Sequence, residues 1–384
     1  MSIFGVSESS SLEKRTDYER LIKEFGLKPL DKSLLVKLQP LHYLFELGMI
    51  FAHRGFDDYL RRYEIGQKVS IVSGRGPSNF MHLGHLVVFE VVKWLQSRLN
   101  ASVYIPLSDD EKYVFGKVKR LEDAHFFALD NALDILSLGF IKGKTFLYIS
   151  SKMPEVYEIS VKLSRYLTYN TVKATFGLDD STNPGTIFYA CVQAAHILMP
   201  TLLHGEVVVV PIAIDQDPYM RLTRDVAERV GIAKPAAIYS KYIKGLTGEP
   251  MSASKPETCI FTSDDPETVR KKVWMAFTGG RPTLKEQKEL GGEPEKCVVF
   301  EWLKVFVFKH IKDIGLHEEK CRSGALVCGE CKKMLSDALV KRLEEIKRNK
   351  MRIMDNIDDY FLHPIEEELI ENVRRRLHIQ ESQA

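Results

Sequence analysis

The sequence predicts an α/β fold, a doubly wound parallel sheet followed by a helical domain. Short β-branched segments alternate with longer amphipathic ones over the first two thirds of the chain, as in parallel sheets with helices on both faces. Polar or glycine-rich segments follow several of these strands, at the edge where such sheets bind ligands. After about residue 262 only the helical spacing of apolar residues remains.

The predicted elements follow in chain order. Apolar side chains at helical spacing predict helices within residues 16–63. Buried strands are predicted at residues 68–73, 101–107, 145–150 and 207–214. Further helices are predicted at residues 86–99, 121–138, 265–277, 301–312 and 332–361. The corresponding division is a disordered N-terminal segment (residues 1–15), an α/β domain (residues 16–264) and a helical domain (residues 265–384).

Length, net charge and cysteine content limit the classes of function. The 384 residues suffice for two domains, and the net charge of +2 means that a nucleic-acid surface would have to be a local patch. The Ser-rich start lacks the apolar core of a signal peptide, and we expect no membrane span. Six cysteines without a secretory signal indicate a reducing compartment, with the cytoplasm as the expected location.

One glycine-rich turn has the pattern of an anion site. The segment Gly74-Arg75-Gly76-Pro77 leaves a predicted strand, and a helix is expected to follow at His82-Leu83-Gly84-His85. Glycines let a ligand approach the backbone, and a helix N-terminus presents free N–H groups to phosphate. His82 and His85 can add donors there. Alone, the motif fits a tight turn with two partly exposed histidines equally well.

A second polar segment predicts a phosphate-binding role only in combination with the first. Met251-Ser252-Ala253-Ser254, followed by Lys255, lies in a polar loop whose hydroxyl and N–H groups can hold phosphates. Alone it is typical of a plain Ser-rich loop. Because both segments occur in one α/β domain, together they predict the two halves of an ATP site.

Further segments carry a resemblance to a known family. They are Gly74–Ser78, Met81–His85, Asp109-Asp110-Glu111-Lys112-Tyr113, Gln193-Ala194-Ala195, Ala213–Tyr219, Arg221–Ala227, Gly279-Gly280-Arg281 and Ser323-Gly324-Ala325. In these segments the chain resembles class I aminoacyl-tRNA synthetases, and among them the tryptophanyl-tRNA synthetases of the eukaryotic and archaeal type. The likeness extends from about residue 16 to the region of Pro364.

The resemblance implies a Rossmann-like catalytic domain, a C-terminal helical domain that binds tRNA, and a homodimer. It also implies ATP with Mg²⁺, L-tryptophan and tRNA(Trp) as reaction partners. The implied catalytic residues are His82, His85, Met251, Ser252 and Ser254. The implied ATP-binding residues are Gly74, Arg75, Gly76, Gly84 and Lys255. The implied amino-acid-binding residues are Glu111, Lys112, Gln193 and Gln216, with Val72 and Pro106 at the indole positions.

Three positions depart from the family pattern. In the family a tyrosine and a glutamine at the positions of Val72 and Pro106 share the indole N–H, and neither residue here can do so. The family's second signature, which corresponds to the segment around Met251–Ser254, begins with a lysine, and the residue at that position here is Pro250. In addition, the segment between Pro77 and His82 is one residue shorter than usual.

These departures leave alternatives open. The first is a working ligase with altered pocket contacts. The second is a synthetase-like paralogue with weakened or lost activation that keeps a tRNA-binding or regulatory role. A third is a nucleotidyl transferase of the same superfamily that acts without tRNA, against which the long C-terminal likeness argues.

Four cysteines in the helical domain form a possible metal site. Cys297, Cys321, Cys328 and Cys331 include a C-x6-C-x2-C pattern, which suits Zn²⁺ or an iron–sulfur cluster. Some tryptophanyl-tRNA synthetases hold a [4Fe–4S] cluster at very similar spacing. Four unrelated, partly buried thiols remain the alternative.

Basic runs mark the same domain as a candidate RNA surface. They lie at residues 270–272, 332–333, 341–342, 347–350 and 374–376. Leu335, Leu339, Leu343 and Ile346 recur at helical spacing, so the charges beside them are expected to face outward. Such faces are often only solvated. The resemblance favours an anticodon-binding role.

Overall fold

A seven-stranded mixed sheet forms the centre of the computed structural model, which describes residues 18–382. The strand order is β1-β2-β7-β6-β3-β4-β5. The strands are β1 (Lys28–Pro29), β2 (Ile50–Arg54), β3 (Val69–Val72), β4 (Ser102–Leu107), β5 (Thr145–Ile149), β6 (Val207–Ala213) and β7 (Ala236–Ser240). The five strands from β7 to β5 are parallel, whereas β1 and β2 join antiparallel at one edge. The predicted α/β class is confirmed, and the predicted disordered segment 1–15 lies outside the described residues.

Helices cover both faces of this sheet. Those before β6 are α1 (Tyr18–Phe25), α2 (Lys32–Val36), α3 (Tyr43–Glu46), α4 (Phe56–Glu64), α5 (Leu83–Leu99), α6 (Asp109–Val114), α7 (Asp123–Leu136), α8 (Pro154–Ser164), α9 (Tyr169–Phe176) and α10 (Pro184–His204). Those after it are α11 (Asp217–Val230), α12 (Pro266–Met275), α13 (Leu284–Leu290), α14 (Val298–Phe306), α15 (Ile311–Arg322), α16 (Cys328–Met354) and α17 (Glu367–Ser382).

The prediction of helices alone within residues 16–63 is wrong at β2. Gly48 and Gly55 adopt positive φ values of 64° and 72°, which interrupt helical structure on both sides of residues 50–54. The intervening residues then pair with β7. Strand β7 was not predicted, because its Ala-rich sequence has little β-branched character and its place between β6 and β2 defines it.

Two apolar cores hold the layers together. One lies between the sheet and helices α5 and α7, and it continues without a break into α12, α14, α16 and α17. The other lies between the opposite face and α8 to α11. Among the described helices, α10 alone is long and apolar enough to cross a membrane, but 67% of its apolar window is buried in the protein. It packs against α8, α11 and β6, as a core helix does.

The C-terminal helices differ in detail from their predicted bounds. The helix predicted at residues 301–312 is interrupted between Phe306, the end of α14, and Ile311, the start of α15. The predicted long helix at 332–361 begins earlier and ends earlier, as α16. The proposed boundary at residue 265 falls on Asp265, whose carboxylate accepts a hydrogen bond from the N–H of Thr268 and so caps α12.

Candidate functional site

A cavity of about 530 Å³ opens at the carboxyl ends of the parallel strands. It lies where β3, β4 and β6 end, the edge of a doubly wound sheet at which ligands bind. The sequence-predicted site residues that line it are Val72, Gly74, Arg75, Gly76, His82, Gly84, His85, Pro106, Glu111, Lys112, Gln193, Gln216 and Met251. Five separate segments of the chain therefore converge on one space.

Backbone pairing brings the two signature segments together. The N–H of Leu83 donates to the carbonyl of Ile260, and the N–H of Thr262 donates to the carbonyl of Met81, both at 2.9 Å. This pairing places the loop that carries Met251 beside the start of α5. A Cβ added to Gly84 would lie 2.9 Å from Cε of Met251, so glycine permits the close approach.

The two histidines at the start of α5 are stacked and neutral. Their rings lie 3.5 Å apart between centroids, and the backbone N–H of His82 donates to Nδ1 of His85 at 3.2 Å. Burial and, after it, the nearby Arg75 charge lower the pKa of His82 to about 3 and hold the pKa of His85 below its usual range. Since Nδ1 of His85 is an acceptor, the proton of this neutral ring sits on Nε2, a donor suited to a phosphate oxygen.

Arg75 places a positive charge beside the cavity. Its N–H donates to the carbonyl of Pro106 at 2.8 Å, and its Nε donates to Oδ1 of Asn131 at 2.8 Å. Burial lowers the pKa of Arg75 to about 10, so the guanidinium is still charged at neutral pH. The arrangement fixes a cation next to the glycine-rich turn, where an anionic ligand would be stabilised.

The second signature lies only partly at the cavity. Pro250 and Met251 line it, whereas Ser252, Ser254 and Lys255 do not. The hydroxyls of Ser252 and Ser254 lie 2.9 Å apart, and Nζ of Lys255 is 2.7 Å from a carboxylate oxygen of Glu249. The polar groups of this loop are thus bonded to one another in the structure.

The residues expected to bind the amino acid lie on the other side of the cavity. Lys112 and Glu111 form an ion pair of 3.0 Å on α6, directly over Gly76. On α10 the hydroxyl of Tyr189 donates to Oε1 of Gln193 at 2.9 Å and so orients its amide. Tyr189 also lines the cavity and was not predicted. Its position one helical turn before Gln193 is a signal that could have identified it.

The two aspartates that precede Glu111 have a structural role. Asp109 accepts hydrogen bonds from the N–H and hydroxyl of Ser151 and lies 3.1 Å from His125. Asp110 accepts hydrogen bonds from the hydroxyls of Ser150 and Tyr157, and burial raises its pKa to about 6. These contacts anchor α6 and thereby fix Glu111 and Lys112 at the cavity.

The four C-terminal cysteines line one narrow cavity of about 20 Å³. Sγ of Cys331 lies 3.3 Å from Nε2 of His317, and a Cβ added to Gly280 would overlap Sγ of Cys328. The sequence pattern therefore brings Cys297, Cys321, Cys328 and Cys331 together. Within residues 18–382, however, no group of three or more His, Cys, Asp or Glu side chains is arranged to hold a metal ion.

Two of the basic residues expected to face outward pair with carboxylates instead, Lys350 buried and Lys272 partly buried. Lys350 on α16 is 5% exposed and lies 2.9 Å from a carboxylate oxygen of Asp134. Lys272 on α12 pairs with Asp264 at 2.6 Å. The expectation of an outward charge is therefore wrong for both, since helical spacing alone reveals neither the carboxylate on α7 nor the one in the turn before α12.

Known proteins share this sequence and this fold. The model of the class I tRNA synthetases for tryptophan and tyrosine (W and Y) matches residues 64–344. A tryptophan–tRNA ligase of Pyrobaculum aerophilum is 43% identical over 356 residues, which cover 91% of this chain and 95% of that relative. One of Pyrococcus abyssi is 41% identical over 357 residues, with 91% and 92% covered.

Solved structures agree. The tryptophanyl-tRNA synthetase of Aeropyrum pernix matches with a TM-score of 0.85 and 30% identity, covering 93% of this chain and 99% of that one. The Plasmodium falciparum enzyme matches with a TM-score of 0.81 and 31% identity, covering 92% and 96%. These matches are too long and too similar in sequence to reflect a shared fold alone. The chain belongs to the tryptophan–tRNA ligase family of class I aminoacyl-tRNA synthetases.

Proposed function

We propose that this chain is an active tryptophan–tRNA ligase. It activates L-tryptophan with MgATP to the aminoacyl-adenylate, releases pyrophosphate, and transfers the tryptophanyl group to the 3′-terminal adenosine of tRNA(Trp). The observation that carries the proposal is the single cavity lined by the glycine-rich turn, the start of α5, Met251 and the amino-acid-binding residues. Membership in the family supports the reaction, with ATP and Mg²⁺ as co-substrates.

The activation step asks for positioning and charge stabilisation. The tryptophan carboxylate attacks the α-phosphate, and negative charge builds on the phosphate oxygens. In our proposal His82 and the Nε2–H of His85 donate to these oxygens, while Gly76 and Gly84 let Lys112 and Met251 approach the backbone beside the nucleotide. Arg75, fixed by Asn131, stabilises the charge from the side.

The second signature contributes after a local rearrangement. In our proposal Met251 contacts the nucleotide from its present position, since it already lines the cavity. Ser252, Ser254 and Lys255 contact the phosphates once their mutual contacts and the Glu249 ion pair are exchanged for the ligand. Pro250 adds no charge at the position where the family has lysine, so Lys255 supplies the cation of this loop.

The amino-acid side of the cavity selects the substrate. Glu111, Lys112, Gln193 and Gln216 hold the ammonium and carboxylate groups common to amino acids. Val72 and Pro106 lie at the indole, where neither can accept the N–H hydrogen bond. We propose that apolar contact with the ring, and not that hydrogen bond, provides most of the affinity for tryptophan here.

ATP–pyrophosphate exchange tests the activity. With tryptophan as the amino acid, the proposal expects exchange that depends on both tryptophan and the enzyme. Absence of exchange at high enzyme concentration, with tRNA(Trp) binding retained, would instead favour a synthetase-like paralogue with a binding role. That second function has a specific observation behind it, since Val72 and Pro106 both line the cavity. If the chain forms the adenylate but does not protect tRNA, the result would favour the third alternative, a nucleotidyl transferase that acts without tRNA.

The helical C-terminal region is proposed to bind tRNA. The exposed basic residues there include Arg270 and Lys271 on α12 and Lys341 and Arg348 on α16. Phosphate contacts release counterions, so the affinity for tRNA(Trp) is expected to fall steeply with salt. Equal binding of every tRNA in a gel shift would contradict specific recognition.

We further propose that the four C-terminal cysteines hold an iron–sulfur cluster or Zn²⁺. Support comes from their convergence on one cavity and from Gly280, which leaves room for Sγ of Cys328. The thiols would have to close in for a single ion, since no three described donors are arranged for one. The group would brace α14 to α16 and has no part in the activation step.

The family also suggests a symmetric homodimer that works in the cytoplasm. Exposed apolar side chains on two neighbouring helices, Val161 on α8 and Tyr169 on α9, are suitable dimer contacts. Sedimentation equilibrium tests the assembly, and a mass of one chain at micromolar concentration would contradict it.

A further inference from the structure

Contacts from α7 and from C-terminal helices hold the segment between the glycine-rich turn and the start of α5. Residues 77–81, here called the connector, join the glycine-rich turn to His82. Nδ2 of Asn131 on α7 donates to the carbonyl of Asn79 at 3.1 Å, and Oδ1 of the same side chain accepts from Arg75 at 2.8 Å. A single α7 residue thus ties the connector to the cation of the proposed ATP site.

An arginine of the last helix covers the connector. The guanidinium of Arg376 on α17 lies 3.4 Å from the ring centroid of Phe80, in a cation–π contact, and 3.8 Å from a carboxylate oxygen of Asp130 on α7. Its neighbours point elsewhere: Arg374 pairs with Glu371 and Asp355. Only one member of the Arg374–Arg376 run therefore reaches the connector among the contacts of the described residues.

A buried lysine supports the far end of the connector. Nζ of Lys350 on α16 lies 3.0 Å from Asp130 and 2.9 Å from Asp134, both on α7. Asp134 accepts a hydrogen bond from the hydroxyl of Thr262 at 2.8 Å, and the N–H of Thr262 donates to the carbonyl of Met81. Two buried carboxylates without a cation would be costly, so Lys350 holds this arrangement in place.

We propose that Arg376 and Lys350 are positioning residues for the ATP site, an inference that rests on the proposed function. Neither residue lines the cavity. Instead they clamp the connector against α7 from two C-terminal helices, so that His82 and His85 face the nucleotide. The run at residues 374–376 then serves the catalytic site through one of its three arginines, and the C-terminal helices are part of the support for ATP binding.

Arg376→Met, with the adjacent Arg375→Met as matched control, tests the proposal. Arg375 donates only to Asn372 on its own helix among the described residues, so the control removes a charge from the same helix without the Phe80 contact. We expect Arg376→Met to raise the Kd for ATP about 3- to 30-fold, the range of a partly desolvated cation–π contact, with the Kd for tryptophan unchanged. Arg376→Lys retains a cation and should recover part of the loss.

A second measurement separates positioning from general damage. Hydrogen exchange of residues 78–83 without any ligand should become faster in Arg376→Met and not in Arg375→Met, while the melting temperature stays near that of the wild type. Phe80→Leu should produce the same effects, and combining it with Arg376→Met should add little. Additive effects, or exchange rates equal to the control, would overturn the inference. A wild-type protein that fails to bind ATP would contradict the proposed function, whereas the hydrogen-exchange measurement tests the clamp on the connector without ATP, so the two failures are distinguishable.

Discussion

The side chain of Lys112 crosses directly over the α-carbon of Gly76. A Cβ added to Gly76 would overlap Cε of Lys112 and lie 2.6 Å from Oε2 of Glu111. Glycine at this position therefore lets the Lys112–Glu111 ion pair pack on the glycine-rich turn. This contact joins the proposed ATP and amino-acid sites.

Gly76→Ala is expected to displace this ion pair from the cavity. Misplacement of binding groups by about 1 Å can cost about 100-fold, so we expect a loss of that order in kcat/KM for tryptophan in pyrophosphate exchange. The melting temperature should change little, since both displaced side chains end in solvent-accessible groups. Gly315→Ala is the control, because a Cβ there meets nothing within 4 Å. Equal activity of the two variants would contradict the assignment of Lys112 and Glu111.

The indole positions give a gain-of-function prediction. A buried indole N–H without a partner costs about 1–3 kcal/mol. Pro106→Gln supplies an acceptor at the cavity wall, and we expect the Kd for tryptophan to fall about tenfold, equivalent to about 1.4 kcal/mol. Pro106→Leu is the matched control, since it removes proline without adding an acceptor. Titration calorimetry measures both. Binding of tryptophan with the same affinity by both variants would show that the indole N–H does not face residue 106.

The sequence predicted the strands best where they are buried on both faces. The β-branched runs at β3 and β6 are explained by burial on both faces, and both strands were predicted close to their observed bounds. Strand β2 was missed because its five residues follow helices and lack a distinctive pattern, so that its antiparallel pairing with β7 defines it. Local propensity carries no information about such a long-range partner.

Within the candidate site, the sequence revealed the residues that lie in short motifs. Gly74 to Gly76 and His82 to His85 lie next to the strand and helix that position them, so the sequence could predict that they lie together, although only in combination with the second segment and the family resemblance. Lys350 could not be found in this way. Its burial depends on Asp130 and Asp134, which lie more than 200 positions away in the chain, and helical spacing placed it in solvent.

The buried His196 predicts a loss of stability in acid. Its ring nitrogens lie 3.0 Å from the Tyr148 hydroxyl and 3.2 Å from that of Ser150, and burial lowers the pKa of His196 to about 3. The unfolded chain binds the proton near pH 6.5, whereas the folded chain does not until about pH 3, so protonation favours unfolding as the pH falls below 6.5.

Urea unfolding at pH 8, 7 and 5 measures this effect. Between pH 7 and pH 5 we expect the wild type to lose about 2 kcal/mol more of its free energy of unfolding than His196→Gln, which cannot take up the proton. Between pH 8 and pH 7 the two proteins should change alike. An equal loss in both proteins down to pH 5 would mean that His196 is already protonated in the folded state or is accessible to water.

The four C-terminal cysteines predict a bound metal with a recognisable signal. Protein purified without oxygen is expected to be brown with broad visible absorption if it holds an iron–sulfur cluster, and colourless with stoichiometric zinc by elemental analysis if it holds Zn²⁺. Cys328→Ser with Cys331→Ser should abolish either signal. The control is Cys191→Ser with Cys259→Ser, since both of these cysteines are buried in other parts of the protein. Because the metal would brace α14 to α16, its loss should lower the melting temperature while pyrophosphate exchange persists. If anaerobically prepared wild-type protein contains neither iron nor zinc, the four residues are ordinary, partly buried thiols.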